Sequence, residues 1–303
     1  VRHTSQRSQR QLRRQRRRVD MLADGPSLPI TWAIAGVQKA ATSTLYRLVS
    51  AHRLVTRGPE KEMHFFDRED HDWSDPAYDT YRRPAMRPQH RSAGDATPIY
   101  FFWPRAMERM QRYRPDMRLI VVVRDPIERA MSQWAMERAR KRYPSVPETI
   151  EQFASARLPL EVPADRPQAQ FRREQQYTRG LYGQQLRRGL SLFPREQWLL
   201  LDFQDVARAP HRVLDRVTDH LDLPRFESHP EPRHGHRSST EQSGPPPTAD
   251  HVRQLVDSYA RDLEEFTHLS GMDVSHWPTW QVAHGHLPAA EFAERIARKL
   301  GLS

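Results

Sequence analysis

The stretch Ile34-Ala35-Gly36-Val37-Gln38-Lys39-Ala40-Ala41-Thr42-Ser43-Thr44-Leu45 decides how this chain is read. With the residues before it, "ITWAIAGV" over 30–37 is a short apolar run rich in strand formers and predicts a buried strand. Beyond it, Leu45, Leu48 and Val49 recur at helical spacing and predict a helix over 42–53. A turn joining strand to helix gathers free backbone N–H groups and the positive end of the helix dipole at one point. Lys39 adds a point charge there, and Thr42, Ser43 and Thr44 add hydroxyl donors. Together they make an oxyanion site, although Thr and Ser at a helix start also serve as plain caps. A nucleoside-triphosphate loop requires Gly, four residues, then Gly-Lys-Ser/Thr. Here Lys39 follows Gly36 by three residues, alanines stand at 40 and 41, and no hydroxyl follows the lysine to hold Mg²⁺. A metal-free site for phosphate-type oxyanions fits this spacing better.

Working outward, "RLIVVVRDP" (118–126) predicts a second buried parallel strand, with Pro126 opening a helix that runs to about residue 142. "EQWLLLDFQDV" (196–206) predicts a third strand, followed by a helix over 212–223. Residues 174–193 read as a helix interrupted by Gly180 and Gly183, with further helices over 251–269 and 288–300. Strands alternating with helices argue for an α/β fold, P-loop-like and three-layered, with a central parallel sheet and helices on both faces. Residues 1–28 are expected to be a basic, disordered tail. The main domain is expected over 29–280, with the proline-rich 143–175 as a variable excursion or lid, and 281–303 as an amphipathic C-terminal helix.

The 303 residues carry a formal net charge of +10. Eight arginines and no acid lie in residues 1–19, so the rest is close to neutral, and the tail is where nucleic acid or anionic lipid would be drawn. Only Lys39, Lys61, Lys141 and Lys299 are lysines among 48 basic residues, which makes Lys39 mildly informative. There is no cysteine, so disulfides and thiolate metal sites are excluded. No apolar run is long enough to span a membrane, and no apolar segment follows the N-terminal arginines as a secretory signal requires. A cytoplasmic location is the expectation.

Two more constellations carry chemistry. In "VVVRDPIERAMSQW" (121–134), Arg124 falls at the carboxyl end of a central strand and Ser132 two helical turns on. A guanidinium fork with a hydroxyl clamps a monophosphate, or Arg124 pairs with Asp125 or Glu128 as a structural ion pair. In "PEKEMHFFD" (59–67), an extended segment would put Glu62 and His64 on one face, with Phe65 and Phe66 anchoring it in the core. A carboxylate beside an imidazole is general-base equipment, and it is also an ordinary surface pair.

In this order the segments resemble the PAPS-dependent sulfotransferases, most closely the heparan-sulfate sulfotransferase-like branch and its bacterial relatives. The resemblance runs over about 30–280. "GVQKAATSTL" is similar to that family's 5′-phosphosulfate loop, "KEMHFFD" to the segment carrying the base, and "GDATPIYF" (94–101) to its Thr-Pro-x-Tyr segment. "RLIVVVRDPIERAMSQW" resembles the 3′-phosphate strand and helix, while "GLYGQQLRRGL" (180–190), "LLLDFQDV" (199–206) and "GMDVSHW" (271–277) resemble later landmarks. The resemblance implies PAPS as donor, PAP as product, no metal requirement, and sulfation of a hydroxyl. It implies Glu62 as general base, Lys39 as the cation at the leaving phosphate, and His64 orienting Glu62 or contacting the sulfuryl group. Gln38 to Thr44, Arg124, Ser132 and Arg237 would bind the cofactor. Glu62, His64, Trp73, Thr97 and Tyr100 would bind the acceptor, with 68–93 and 143–175 shaping its pocket.

The chain also departs from the family pattern. Ala40-Ala41 replaces Gly-Gly, and because both carry a Cβ a positive φ is not expected there. Ser43 replaces an arginine, Ala96 replaces a lysine, and "HRSSTEQSGPPP" replaces a disulfide-bearing loop, so that cofactor contacts from that loop would fall to Arg237 or Ser238. The acceptor is expected to be an intracellular small molecule or glycoside, as in secondary metabolism, rather than a matrix polysaccharide. Two alternatives stay open: a Mg²⁺-dependent P-loop kinase or NTPase, and a nucleic-acid-binding protein acting through its basic tail.

Overall fold

The computed structural model describes residues 26–57, 60–140, 143–153, 157–232 and 244–302. Most of the expected N-terminal tail, together with Arg237 and Ser238, lies outside the described residues. The strands are β1 (Ser27–Pro29), β2 (Trp32–Gly36), β3 (Val55–Thr56), β4 (Arg82–Pro84), β5 (Ser92–Asp95), β6 (Arg118–Val123) and β7 (Trp198–Asp202). The helices are α1 (Thr42–Val49), α2 (Ala106–Tyr113), α3 (Pro126–Arg140), α4 (Val146–Glu151), α5 (Gln168–Glu174) and α6 (Tyr182–Leu190). They continue with α7 (Phe203–Arg208), α8 (Pro210–His220), α9 (Ala249–Ser270), α10 (Pro278–Ala283) and α11 (Ala289–Leu300).

Five strands form one parallel sheet in the order β3-β5-β2-β6-β7, and β1 pairs antiparallel with β4 beside it. From β2 the chain moves first toward β3 and β5, then crosses to β6 and β7 on the other side. Right-handed crossovers in opposite directions put helices on opposite faces and open a crevice at the carboxyl ends of the central strands. The loop after β2, the segment after β5 and Arg124 after β6 all emerge at that edge.

The apolar runs explain the strands. All five residues of β2 are buried, as are five of the six in β6, as expected of strands covered on both faces. Gly94 in β5 has no room for a side chain, since a Cβ there would lie 2.2 Å from the Trp32 ring. The Trp32 indole N–H donates to Ser92 Oγ at 2.9 Å, which locks that register. Gly183 brings α6 against α9: a Cβ would meet the Asp262 carbonyl at 2.4 Å, and the Asp262 carboxylate accepts from the Gly183 and Gln184 N–H groups, each at 2.9 Å.

Some boundaries differ from expectation. The third strand stops at Asp202, because that carboxylate accepts from the Gln204 N–H at 2.5 Å and caps α7, turning 203–206 into helix. The helix expected over 42–53 ends at Val49. Strands β1, β3, β4 and β5 and helix α2 were not expected, being short or rich in small and polar residues. The C-terminal helix α11 inserts Phe292, Ile296 and Leu300 into a second apolar cluster with Ile127, Trp134 and Tyr259 of α3 and α9. Among the described residues no helix is long and apolar enough to cross a membrane.

Replacing Gly94 by alanine is expected to lower unfolding stability by about 2–3 kcal/mol through overpacking against Trp32. A urea midpoint equal to that of the parent chain would show that the ring yields without cost.

Candidate active site

The base segment is built from its backbone. Arg83, 2 % exposed, donates Nε to the Gly94 carbonyl at 2.9 Å and its terminal nitrogens to the carbonyls of Glu60 and Lys61. Asp95 is fully buried at the end of β5. It accepts from the Met63 N–H at 3.2 Å and from the hydroxyls of Thr97, Tyr81 and Tyr100, each at 2.9 Å. Tyr100 Oη in turn accepts from the Phe65 N–H at 2.9 Å. Phe65 and Phe66 are buried, as their apolar rings require. Residues 60–66 are thereby held on both sides of Glu62.

The segment is not extended, because His64 adopts φ 49, yet it still brings Glu62 and His64 together. His64 Nε2 lies 3.3 Å from Glu62 Oε2, and Nδ1 lies 2.9 Å from Asp67 Oδ2. A ring with a carboxylate at each nitrogen can donate to both only as the imidazolium. The Asp67 hydrogen bond, followed by the one to Glu62, accordingly raises the His64 pKa to about 9. Burial pushes the Glu62 carboxyl up, but hydrogen bonds from His64 and Lys61 outweigh it and bring it to about 2. At neutral pH the pair is Glu62⁻ and His64⁺. Asp67, which has no exposed surface, also accepts from Arg172 of α5, tying the proline-rich excursion to the base segment.

The opening loop meets this segment around a cavity of about 330 Å³ whose lining includes Gln38, Glu62, His64, Gln133, Arg172 and Arg179. Arg179 donates to Gln38 Oε1 and, at 2.6 Å, to the Arg172 carbonyl. Arg129, without exposed surface, donates to Gln133 Oε1 at 2.9 Å and to the Gln176 carbonyl. Arg124 Nη1 donates to the Lys39 carbonyl at 3.2 Å, Nη2 to Glu128 at 3.3 Å, and its guanidinium lies 4.6 Å from the Phe203 ring centre. Nε of Arg124, Arg129, Arg172 and Arg179 is in each case buried without a partner. Burial, then Arg129 and Arg172, pulls the Arg179 pKa down. A donor-rich, partly unsatisfied set of guanidiniums suits an anion.

Gln38, Glu62 and His64 line the one cavity. Lys39 and Ser132 are half-buried, Thr42 is buried and Ser43 exposed. Arg124 does make the Glu128 pair while reaching the loop. Ala40 is buried with an ordinary φ, but Ala41, which caps α1, has φ 61, and Lys39 has φ 74. The loop turns too tightly into α1 for a right-handed residue at 41, so a positive φ occurs there despite the Cβ. Thr97 and Tyr100 do not face the cavity as expected of acceptor contacts: both are fully buried and spend their hydroxyls on Asp95. Trp73 is likewise turned away, its N–H on the Arg68 carbonyl at 2.8 Å and its ring 4.2 Å from the Arg109 guanidinium. No residue of 68–93 lines this cavity, whereas Ala169, Arg172 and Arg173 of the excursion do. Sequence reasoning missed Asp67, Arg83, Asp95, Arg172 and Arg179; the sole signal was Asp67 at three residues from His64.

The sequence profile described as "Sulfotransferase domain" matches residues 30–244. The chain belongs to the sulfotransferase family. Sulfotransferases of this family generally draw their sulfuryl group from PAPS. The chain is 32% identical over 198 residues to heparan sulfate glucosamine 3-O-sulfotransferase 6 of Mus musculus, covering 63% of this chain and 52% of that protein. It is 24% identical over 196 residues to heparan sulfate glucosamine 3-O-sulfotransferase 5 of Homo sapiens, covering 63% of this chain and 53% of that protein. The chain thus spans about half the length of the curated relatives it matches. A solved sulfotransferase structure from Alicyclobacillus acidocaldarius shares the fold, with a TM-score of 0.60, 23% identity and coverage of 82% of this chain and 98% of that one.

Two outcomes are expected. The His64 ring should titrate by NMR near pH 9, and Asp67→Asn should return it toward 6.5. Since its folded pKa is raised, its stabilising contribution is complete below about pH 6.5 and is lost as pH rises through about 9. A ring titrating at its ordinary value would contradict the double carboxylate contact. Ala41→Gly should raise stability by about 1 kcal/mol by relieving the left-handed φ; a lower melting point would contradict that backbone.

Proposed function

We propose that this chain transfers a sulfuryl group from PAPS to a hydroxyl of a small molecule or glycoside. The observation that carries the reading is the meeting of Gln38, Glu62, His64, Arg172 and Arg179 on one cavity at the carboxyl edge of the sheet. The N–H groups at the start of α1, with Thr42, Ser43 and Thr44, would hold the 5′-phosphate. Arg124 and Ser132 would hold the 3′-phosphate, and the unpartnered Arg124 Nε supports an anion at that place. PAPS when bound supplies an activated sulfuryl group and a bisphosphate leaving group. Lys39 would stabilise the negative charge growing on the departing phosphate oxygen.

Glu62 would accept the proton of the attacking hydroxyl. A carboxylate held at about 2 is a feeble base, so its donors must give way first. An entering hydroxyl that replaces Lys61 or His64 at Glu62 removes one of the interactions holding that pKa down, and the carboxylate becomes more basic as the acceptor arrives. His64, anchored through Nδ1 to Asp67, keeps its Nε2–H directed at the reacting region. The excursion 143–175 would act as the wall that closes the cavity, joined to the base through Arg172 and Asp67.

Glu62→Gln is expected to cut transfer at least about 100-fold while leaving PAP affinity unchanged by calorimetry. Full transfer by that variant removes Glu62 from its role. In the same calorimeter PAP should bind without Mg²⁺ and more tightly than ATP; Mg²⁺-dependent ATP binding would instead point to a kinase or NTPase.

A further inference from the structure

A second, larger cavity of about 820 Å³ lies between α4, α5 and the stretch from 157 to 159. Arg173 lines both it and the cavity containing Glu62, so the two adjoin through one side chain. Its wall carries apolar surface from Phe153, Leu158 and the Tyr143 ring. It also carries Arg157, Arg166 and Arg173 against a single carboxylate, Glu174. That carboxylate is already occupied: Arg166 Nη1 lies 2.5 Å away, and Gln170 Nε2 donates to it at 2.8 Å. Among the described residues no carboxylate comes within ion-pair distance of Arg157 or Arg173. Gln176, 2 % exposed, accepts from the Tyr143 hydroxyl at 3.2 Å through Oε1, while its Nε2 is buried without a partner.

We propose that this cavity binds an amphipathic organic anion: an aromatic or alkyl body bearing a carboxylate or sulfonate. The apolar body lies on Phe153, Leu158 and the Tyr143 ring. The anionic group takes the Arg173 fork, with Arg157 as the second cation, and the unsatisfied Gln176 amide as a neutral donor. Resting on the sulfotransferase reading, it follows that the acceptor is a hydroxylated amphipathic acid anchored here while its hydroxyl reaches Glu62 past Arg173. This makes Arg173 a specificity-determining residue that selects acidic over neutral acceptors.

The test uses the full chain and two fluorescent probes of the same ring system. These are 8-anilinonaphthalene-1-sulfonate and its uncharged counterpart N-phenyl-1-naphthylamine. The sulfonate should bind once per chain, at least about tenfold more tightly than the neutral probe, and excess PAP should not displace it. Arg173→Gln should weaken it about tenfold, and Leu158→Asp, at a half-exposed position outside the Glu62 cavity, should abolish it while still binding PAP like the parent. Equal affinity for the two probes, displacement by PAP, or indifference to both substitutions would overturn the proposal. A parent chain that binds the sulfonate as described yet ignores PAP would defeat the sulfotransferase reading and leave this cavity assignment standing.

Discussion

The buried pair of Arg83 and Asp95 is the constraint on which the site depends. Their closest approach, 3.8 Å, makes only a loose ion pair, so the pair matters less as attraction than as a junction. Arg83 spends its donors on three backbone carbonyls around Glu62, and Asp95 collects three hydroxyls and a backbone N–H from the same neighbourhood. Burial pushes Asp95 toward neutrality, and Arg83 with the hydroxyls of Tyr100, Tyr81 and Thr97 opposes it. Removing either partner would leave a buried charge uncompensated, a loss of about 3–5 kcal/mol in comparable settings. A segment without regular structure can thus present Glu62 and His64 in fixed geometry, because its rigidity is lent by the end of β5.

From that anchored segment a line of contacts runs outward. Glu62 meets His64, His64 meets Asp67, and Asp67 meets Arg172 on α5. A shift of α5 is therefore felt at the base, and the state of the base is felt at the excursion. On the opposite flank Glu128 serves three cations, Arg124, Arg295 and Lys299, which joins the C-terminal helix to the strand end that carries Arg124. Both joins are electrostatic, and their partial burial leaves them less screened by salt than surface pairs.

How much of this was legible depends on the kind of signal. β2 and β6 were readable because they are buried on both faces and so nearly continuous in apolar residues. β5, Ser92-Ala93-Gly94-Asp95, was not, because its smallness answers to the Trp32 ring across the sheet and leaves no pattern of its own. The loop after β2 was readable from Lys39 and its hydroxyl neighbours, yet the left-handed turn at Ala41 is imposed by tertiary geometry against local preference. Thr97 and Tyr100 spend their hydroxyls on Asp95, and a hydroxyl near a site looks the same in sequence whether it faces a ligand or the scaffold. Arg172 and Arg179 were invisible for a simpler cause. In a chain whose 48 basic residues include four lysines, one more arginine carries no information until its burial is known.

Burial pulls the pKa values of Arg129 and Arg179 down, and neighbouring guanidiniums add to it, Arg124 at Arg129, and Arg129 with Arg172 at Arg179. An anion entering among them would relieve a tension already present, so occupancy should tighten the whole domain as well as fill a pocket. Seen this way the arginines are a loaded spring held inside the protein, and the molecule is most at ease when its ligand is present.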